Sequence, residues 1–261
     1  MPNSRRANCY DYPQYWDLAF RSETKLEADF IEAASAKYCN FKASRLMEPG
    51  CGGGRLVVEM AARAYSVLGY DLSEPSVRYL EKRLARRKLR ADVLTADMTT
   101  FVAKKPMDAA FCTFNTFRHL TTEDAARQHL ECVAKSLRPG GIYILGFHLL
   151  PPDADEECIE RWSAKHGKTK VTITLRVLNF DRQTRLEMIR FSLRVRSGQR
   201  DLKLKSDYQY RIYTAAQFHR LLVSVPQFEL CDVYDFWYDI EDPLQLSNQL
   251  GDAVFILRKI A

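Results

Sequence analysis

The feature that most constrains this chain is a short apolar run at 44–48 that breaks at Glu48-Pro49-Gly50-Cys51-Gly52-Gly53-Gly54-Arg55 and restarts as a helical pattern at 55–64. Glycines between a strand and a helix allow a sharp turn and a close approach of the backbone to a ligand. The alternation continues. A second strand at 65–70 ends in Asp71-Leu72-Ser73, and a helix follows at 75–88. Ser73 is placed to cap that helix, and Pro75 sits near its first turn, where a missing N–H costs little. Val77, Leu80 and Leu84 form its apolar face. A third strand at 91–95 precedes Asp97, and a fourth covers 108–114. A helix at 122–137 stops at Pro139-Gly140-Gly141, before a fifth strand at 142–148. Strict alternation predicts a parallel sheet covered on both faces, and right-handed crossovers make it doubly wound and Rossmann-like.

Two segments depart from that rhythm. Ahead of it, a helix is predicted over 24–38, with Thr24 and Glu27 at capping-box spacing and Leu26, Phe30, Ile31 and Ala34 on one face. It follows an aromatic stretch of Tyr10, Tyr12, Tyr15, Trp16 and Phe20. Behind it, three runs alternate apolar and polar residues: 171–177, 189–196 and 202–212. Period-2 runs joined by polar turns predict an inserted antiparallel β-meander. Its apolar face needs a cover, supplied by the main domain or by a second subunit. A helix at 214–224 and strands near 228–237 and 252–259 would complete the main sheet. The expected organisation is a ligand-binding domain from 1–150 and 212–261, with 1–43 as an aromatic and helical lid, and an insertion at 160–211.

Charge singles out the same insertion. Residues 161–211 hold 14 Lys and Arg against 4 Asp and Glu, while the rest of the chain holds 25 against 29. The 261 residues, 46% of them hydrophobic, suffice for a sizeable core. No apolar run reaches membrane-spanning length, and the polar start of the chain lacks a signal peptide's apolar stretch, so no membrane association and a cytoplasmic location are expected. The seven cysteines include no Cys-x-x-Cys pair and the five histidines no metal-binding spacing, so no metal site is expected.

The glycine loop does not fit a dinucleotide. Counted from Gly50 the third glycine position is Arg55, and counted from Gly52 it is Val57. A phosphate-binding Gly-Lys-Ser/Thr is also missing. Glu48 at the strand end suits a ligand carrying an ammonium group better than one carrying a pyrophosphate. S-adenosylmethionine has an ammonium, a carboxylate and no phosphate. Glu48-Pro49-Gly50-Cys51-Gly52-Gly53-Gly54 resembles the Glu/Asp-x-Gly-x-Gly-x-Gly motif of class I S-adenosylmethionine-dependent methyltransferases, and Asp71, Asp97 and Leu137-Arg138-Pro139-Gly140-Gly141 continue the likeness. The likeness covers about 44–148 and the closing elements after 212.

The resemblance implies a seven-stranded methyltransferase sheet and a set of roles. Gly50, Cys51, Gly52 and Gly54 would line the methionine part, with Glu48 near its ammonium. Arg55 would meet the carboxylate or stand solvated in the first helical turn. Asp71 would hold the ribose and Asp97 the adenine amino group, with Leu72 and Met98 on the ring; capping of turns is the alternative for both acids. Asn115 and Thr116 would flank the methyl donor. Phe114-Asn115-Thr116-Phe117-Arg118-His119-Leu120 resembles small-molecule N-methyltransferases, including those acting on amino sugars, some of which dimerise through an insertion at this place.

His119 is the candidate general base, since a free imidazole titrates near 6.5, with a loop or capping role as the alternative. His148 is a second candidate, and His129, in mid-helix, reads as structural. Tyr10, Tyr15 and Trp16 would form an aromatic wall suited to a cation, or simply pack. The expected reaction is methyl transfer to a small-molecule amine or hydroxyl, by a possible homodimer joined through the insertion. The basic strand face, with Arg176, Arg190, Arg194, Arg196, Lys203, Lys205 and Arg211, leaves RNA methylation or RNA binding as the alternative.

Overall fold

The computed structural model describes residues 5, 6, 8–155 and 157–260. The chain begins with β1 (Arg5–Arg6), α1 (Pro13–Ala19) and α2 (Thr24–Tyr38), and then enters the alternating region. This consists of β2 (Arg45–Pro49), α3 (Arg55–Ala62), β3 (Ser66–Asp71), α4 (Glu74–Arg87), β4 (Asp92–Thr95), β5 (Met107–Cys112), α5 (Glu123–Ser136) and β6 (Leu137–His148). Four long strands follow: β7 (Ile159–His166), β8 (Thr169–Asp181), β9 (Leu186–Ser197) and β10 (Arg200–Arg211). The chain closes with α6 (Ala215–Val223), β11 (Phe228–Tyr234) and β12 (Asp252–Lys259).

The main sheet has seven strands in the order β11-β12-β6-β5-β2-β3-β4, parallel from β6 to β4 and antiparallel from β6 to β11. The chain runs outward from β2 to β4 and then restarts at β5 on the other side of β2. That reversal is the place where open sheets of this kind bind ligands, beyond the carboxyl ends of the strands. Apolar residues of both sheet faces are fully buried, Met47, Tyr143 and Phe255 on one side and Leu46, Phe111 and Ile144 on the other. Two helices of this region carry side-chain N-caps, the expected Ser73 on α4 and Thr122 on α5. The Ser73 side chain accepts from Ser76 N at 3.3 Å, and Thr122 Oγ1 accepts from Ala125 N at 3.1 Å.

A second, five-stranded sheet has the order β1-β10-β9-β8-β7. Three of its strands answer to the predicted meander. The other two, β1 and β7, carry no period-2 signal: β1 has two residues, and β7 (Ile-Glu-Arg-Trp-Ser-Ala-Lys-His) sets Glu160 and Trp162 on one face and Ile159 and Arg161 on the other. The apolar face is covered from within the chain. Cys9, Tyr15, Leu18 and Ala19 of the N-terminal segment bury against Val171, Ile173, Phe191 and Leu193.

The structure corrects two details of α2. Leu26 points outward and is 46% exposed. The Thr24–Glu27 capping box does not form: Thr24 is inside the helix, Glu23 precedes it without a side-chain cap, and both Thr24 and Glu27 are buried. A capping box is present instead at α6, between Thr214 and Gln217. No helix among the described residues is long and apolar enough to cross a membrane.

Candidate active site

A cleft of about 860 Å³ lies over the carboxyl ends of β2, β3 and β5. Its floor is the glycine loop. Gly50 and Gly54 have φ of +63° and +67°. A Cβ at Gly50 would stand 2.4 Å from Thr116 Cγ2, and one at Gly54 would stand 2.2 Å from Leu80 Cδ1. Both conformation and space therefore demand glycine at these two turns. Cys51 is buried beneath the loop and donates its N–H to Tyr70 O at 3.0 Å.

Two acids anchor the loop. Glu48 is buried, and its Oε2 accepts from Val57 N at 3.1 Å in the first turn of α3. Burial pushes the carboxyl up to about 8, against the opposing pull of Arg55. A ligand ammonium at this position would offset that burial cost. Asp71 Oδ2 accepts from Gly52 N at 2.7 Å and its Oδ1 from Ser73 N at 2.8 Å. It thus ties the end of β3 to the loop after β2, while a carboxylate keeps lone pairs for further donors. Burial raises its pKa, and the two backbone bonds oppose the rise.

Arg55 is neither free nor solvated. Its Nη1 lies 2.6 Å from Glu27 Oε1 and 3.4 Å from Thr24 Oγ1. Glu27 Oε2 accepts in turn from Thr113 Oγ1 at 2.5 Å. The spacing of Thr24 and Glu27, read from sequence as a helix cap, serves to hold this arginine at the rim of the cleft. Asp97 is exposed, and its Oδ1 accepts from both the N–H and the hydroxyl of Thr99 at 2.8 Å. Asp97 caps its own turn and faces the cleft together with Met98 and the 73% exposed Leu72.

The segment after β5 closes the other side. Asn115 has φ of +55°, and its Oδ1 accepts from His148 N at 3.0 Å, locking the end of β5 to the end of β6. Thr116 packs over Gly50. His119 Nε2 lies 2.9 Å from the Tyr10 hydroxyl, and the rings of Tyr10, Tyr208 and Tyr210 surround its imidazole. The value of a free imidazole does not apply here: burial, with Arg118 beside it, drops His119 to about 4. His119 is therefore neutral at physiological pH and coupled to Tyr10 through a hydrogen bond. His129 is fully buried between Met98 O and the Tyr143 hydroxyl, a structural role.

Of the aromatic N-terminal residues, Tyr10 and Trp16 line the cleft. Tyr15 does not: it is buried under the second sheet. His148 lines the cleft, with Nδ1 2.7 Å from Asp252 Oδ1. Phe20, Trp162, Phe191 and Glu160 also line it, and sequence reasoning gave none of these four a site role. Trp162 and Glu160 sit on β7, whose sequence carries no strand signal.

These shifts make stability depend on pH. His119 and His129, both near 4 when folded and 6.5 ordinarily, bind fewer protons folded than unfolded between pH 4 and 6.5, so they favour folding as pH rises through that window. Glu48, near 8 when folded and 4.5 ordinarily, binds more protons folded, so its contribution is lost from pH 4.5 up to 8. Two histidines outweigh one glutamate up to pH 6.5, and the glutamate acts alone above it. The melting temperature of the cofactor-free protein should peak near pH 6.5 and decline toward pH 8. A decline that persists unchanged in Glu48→Gln would assign it to other groups.

Residues 46–141 match the Methyltransferase domain family. Two curated proteins are similar over about half of the chain. One is a putative methyltransferase of Geobacillus sp. (strain WCH70), 23% identical over 53% of this chain and 57% of that protein. The other is the ubiquinone biosynthesis O-methyltransferase of Azoarcus sp. (strain BH72), 27% identical over 49% of this chain and 54% of that protein. The chain thus spans little more than half the length of either. Solved structures match along the whole chain. An S-adenosylmethionine-dependent methyltransferase from Clostridium acetobutylicum has a TM-score of 0.78 at 16% identity, covering 97% of this chain and 100% of that one. The amino pentose methyltransferase CalS10 from Micromonospora echinaspora has a TM-score of 0.71 at 18% identity, covering 99% and 100%. At these identities the likeness is one of fold. Beside the glycine loop and its flanking acids, the comparisons thus show a likeness to the Methyltransferase domain family over residues 46–141 and, along the whole chain, the class I fold of solved S-adenosylmethionine-dependent methyltransferases.

Proposed function

We propose that this protein transfers a methyl group from S-adenosylmethionine to a small-molecule amine or hydroxyl. The observation that carries the reading is the buried Glu48 carboxylate beside the Gly50–Gly54 turn, joined to Asp71 through Gly52 N. Glu48 is suited to the ligand's ammonium, the glycine N–H groups and Arg55 to its carboxylate, Asp71 to its ribose, and Asp97, Leu72 and Met98 to its adenine. When bound, the cofactor supplies a methyl carbon on a positive sulfur; the acceptor's lone pair forms the new bond and the S–C electron pair stays on sulfur. The chain's residues then have to align the acceptor, exclude water and take up a proton. His119, neutral and hydrogen-bonded to Tyr10, is the group we assign to the proton, with His148 second.

A small acceptor is favoured because Trp16, Phe20, Phe114, Trp162 and Phe191 wall the far end of the cleft. The RNA reading loses support on the strand face, where Arg190 and Arg194 pair with Asp207 and Asp201 across the sheet, and Arg211 pairs with Glu123. A homodimer through the second sheet remains our proposal; sedimentation that finds a monomer at high concentration would remove it. For the main reading, calorimetry should show S-adenosylhomocysteine binding in the micromolar range. No heat from either the cofactor or this product would sink it.

A further inference from the structure

β7 carries an anomaly. Its even-numbered residues face the apolar side of the second sheet, with Trp162 opposite Ile173 and Ala164 opposite Val171. Glu160 occupies the same face, opposite Leu175, so a carboxylate stands where the sheet's pattern calls for an apolar residue. Glu160, Trp162 and Leu175 all line the cleft. Among the described residues Glu160 has no ion-pair partner within 4.0 Å; the Cys158 thiol at 3.7 Å is its hydrogen-bond partner. Glu160 is exposed at the cleft, so its carboxylate is open to a ligand entering there.

Its surroundings are aromatic. Trp162 lies 5.4 Å from Phe20, which lies 5.8 Å from Trp16 and 5.4 Å from Phe114. Aromatic faces attract organic cations, by about 0.5–2 kcal/mol each. The charge balance of the cleft points the same way: among the described residues seven carboxylates line it against one guanidinium, Arg55. That guanidinium is already engaged by Glu27. Among the described residues no lysine faces the cleft, so these side chains offer a phosphate-bearing acceptor no free ammonium or guanidinium.

We infer that the methyl acceptor is an amine borne on an aromatic or apolar body that carries no phosphate, and that Glu160 with Trp162 and Phe20 selects its ammonium form, which gives up a proton to solvent before the lone pair of the neutral amine takes the methyl group. This rests on the methyltransferase reading and narrows its substrate class. It separates this chain from any enzyme whose acceptor is a nucleoside diphosphate sugar, even one of the same fold.

The test is calorimetry on protein saturated with S-adenosylhomocysteine, titrated with tyramine, with its amine-free analogue 4-ethylphenol, and with uridine diphosphate glucosamine. Tyramine should bind at least ten-fold more tightly than 4-ethylphenol, and the nucleotide sugar should give no measurable heat. Glu160→Gln should remove most of the preference for tyramine over 4-ethylphenol. Trp162→Ala should weaken both. Absence of tyramine binding, tighter binding of the nucleotide sugar, or an unchanged preference in Glu160→Gln would each overturn the inference. The preliminary titration with S-adenosylhomocysteine separates the two failures: no binding there rejects the methyltransferase reading itself, whereas binding there with the wrong acceptor profile rejects only the amine.

Discussion

Glu187→Leu is expected to cost about 3–5 kcal/mol of folding stability, measured by urea denaturation, because it leaves Arg118 charged and buried. The two side chains are 6% and 5% exposed and form an ion pair between the turn that bears His119 and strand β9. Arg118 Nε also donates to Arg211 O at 3.0 Å, and its guanidinium lies 5.3 Å from the Tyr210 ring. The pair therefore fastens the 116–119 turn to the second sheet. Replacing both partners, Arg118→Met with Glu187→Leu, removes the unpaired charge and should restore most of the loss, since apolar replacement of a buried pair is often neutral or better. The double variant should still differ from the parent at the active site. Without the positive charge beside it, His119 moves up from about 4, because Arg118 contributes to its depression. Imidazole titration followed by NMR reads that shift. A double variant as unstable as the single one would mean that the pair's role is packing rather than charge.

How much of this was legible in the sequence follows from the range of each interaction. The alternating region was readable because its signals are local: apolar period, capping serine, glycine and proline punctuation. The same locality misled at Thr24 and Glu27. Their spacing fits a capping box, yet Glu27 pairs with Arg55 and Thr113, 28 and 86 residues away. Strand β7 was invisible because its inner face carries Glu160 among Trp162 and Ala164 rather than a run of β-branched residues. Its pairing with β8, not its own propensity, makes it a strand. The cover of the second sheet was left open between the main domain and a second subunit, because burial across about 160 residues of chain leaves no mark in a local window; the structure supplies it from the N-terminal segment. The glycine-loop end of the cleft is legible as residue types. What each residue holds was not: Asp71, Asp97 and Asn115 each bind nearby backbone, and the ligand roles proposed for them come in addition to that work.

Asp71→Ala separates those two kinds of work. The carboxylate takes one proton donor from each side of the cleft floor, Gly52 N and Ser73 N. Removing it leaves the part-buried Gly52 N–H without its protein acceptor inside a left-handed turn, so the loop should loosen in the cofactor-free protein, at a cost of about 1 kcal/mol, the low end for an unpaired donor because cleft water reaches it. A ribose role adds a second, independent loss. Charge-assisted bonds to the hydroxyls contribute about 1.5–3 kcal/mol, so S-adenosylhomocysteine affinity should fall roughly 10- to 150-fold by the standard conversion. Asp71→Asn retains one carbonyl acceptor and removes the charge, so it should lie between the parent and alanine on both measures. Asp97→Ala should barely move the melting temperature, because Asp97 is exposed and caps only its own turn; its effect should appear in affinity alone. Denaturation of the free proteins and calorimetry with S-adenosylhomocysteine give the two readings separately. If Asp71→Ala lowers the melting temperature and leaves the affinity unchanged, Asp71 is a brace for the glycine loop and the ribose role is wrong. If affinity falls while the free protein is as stable as the parent, the bonds to Gly52 and Ser73 are incidental and the carboxylate serves the ligand.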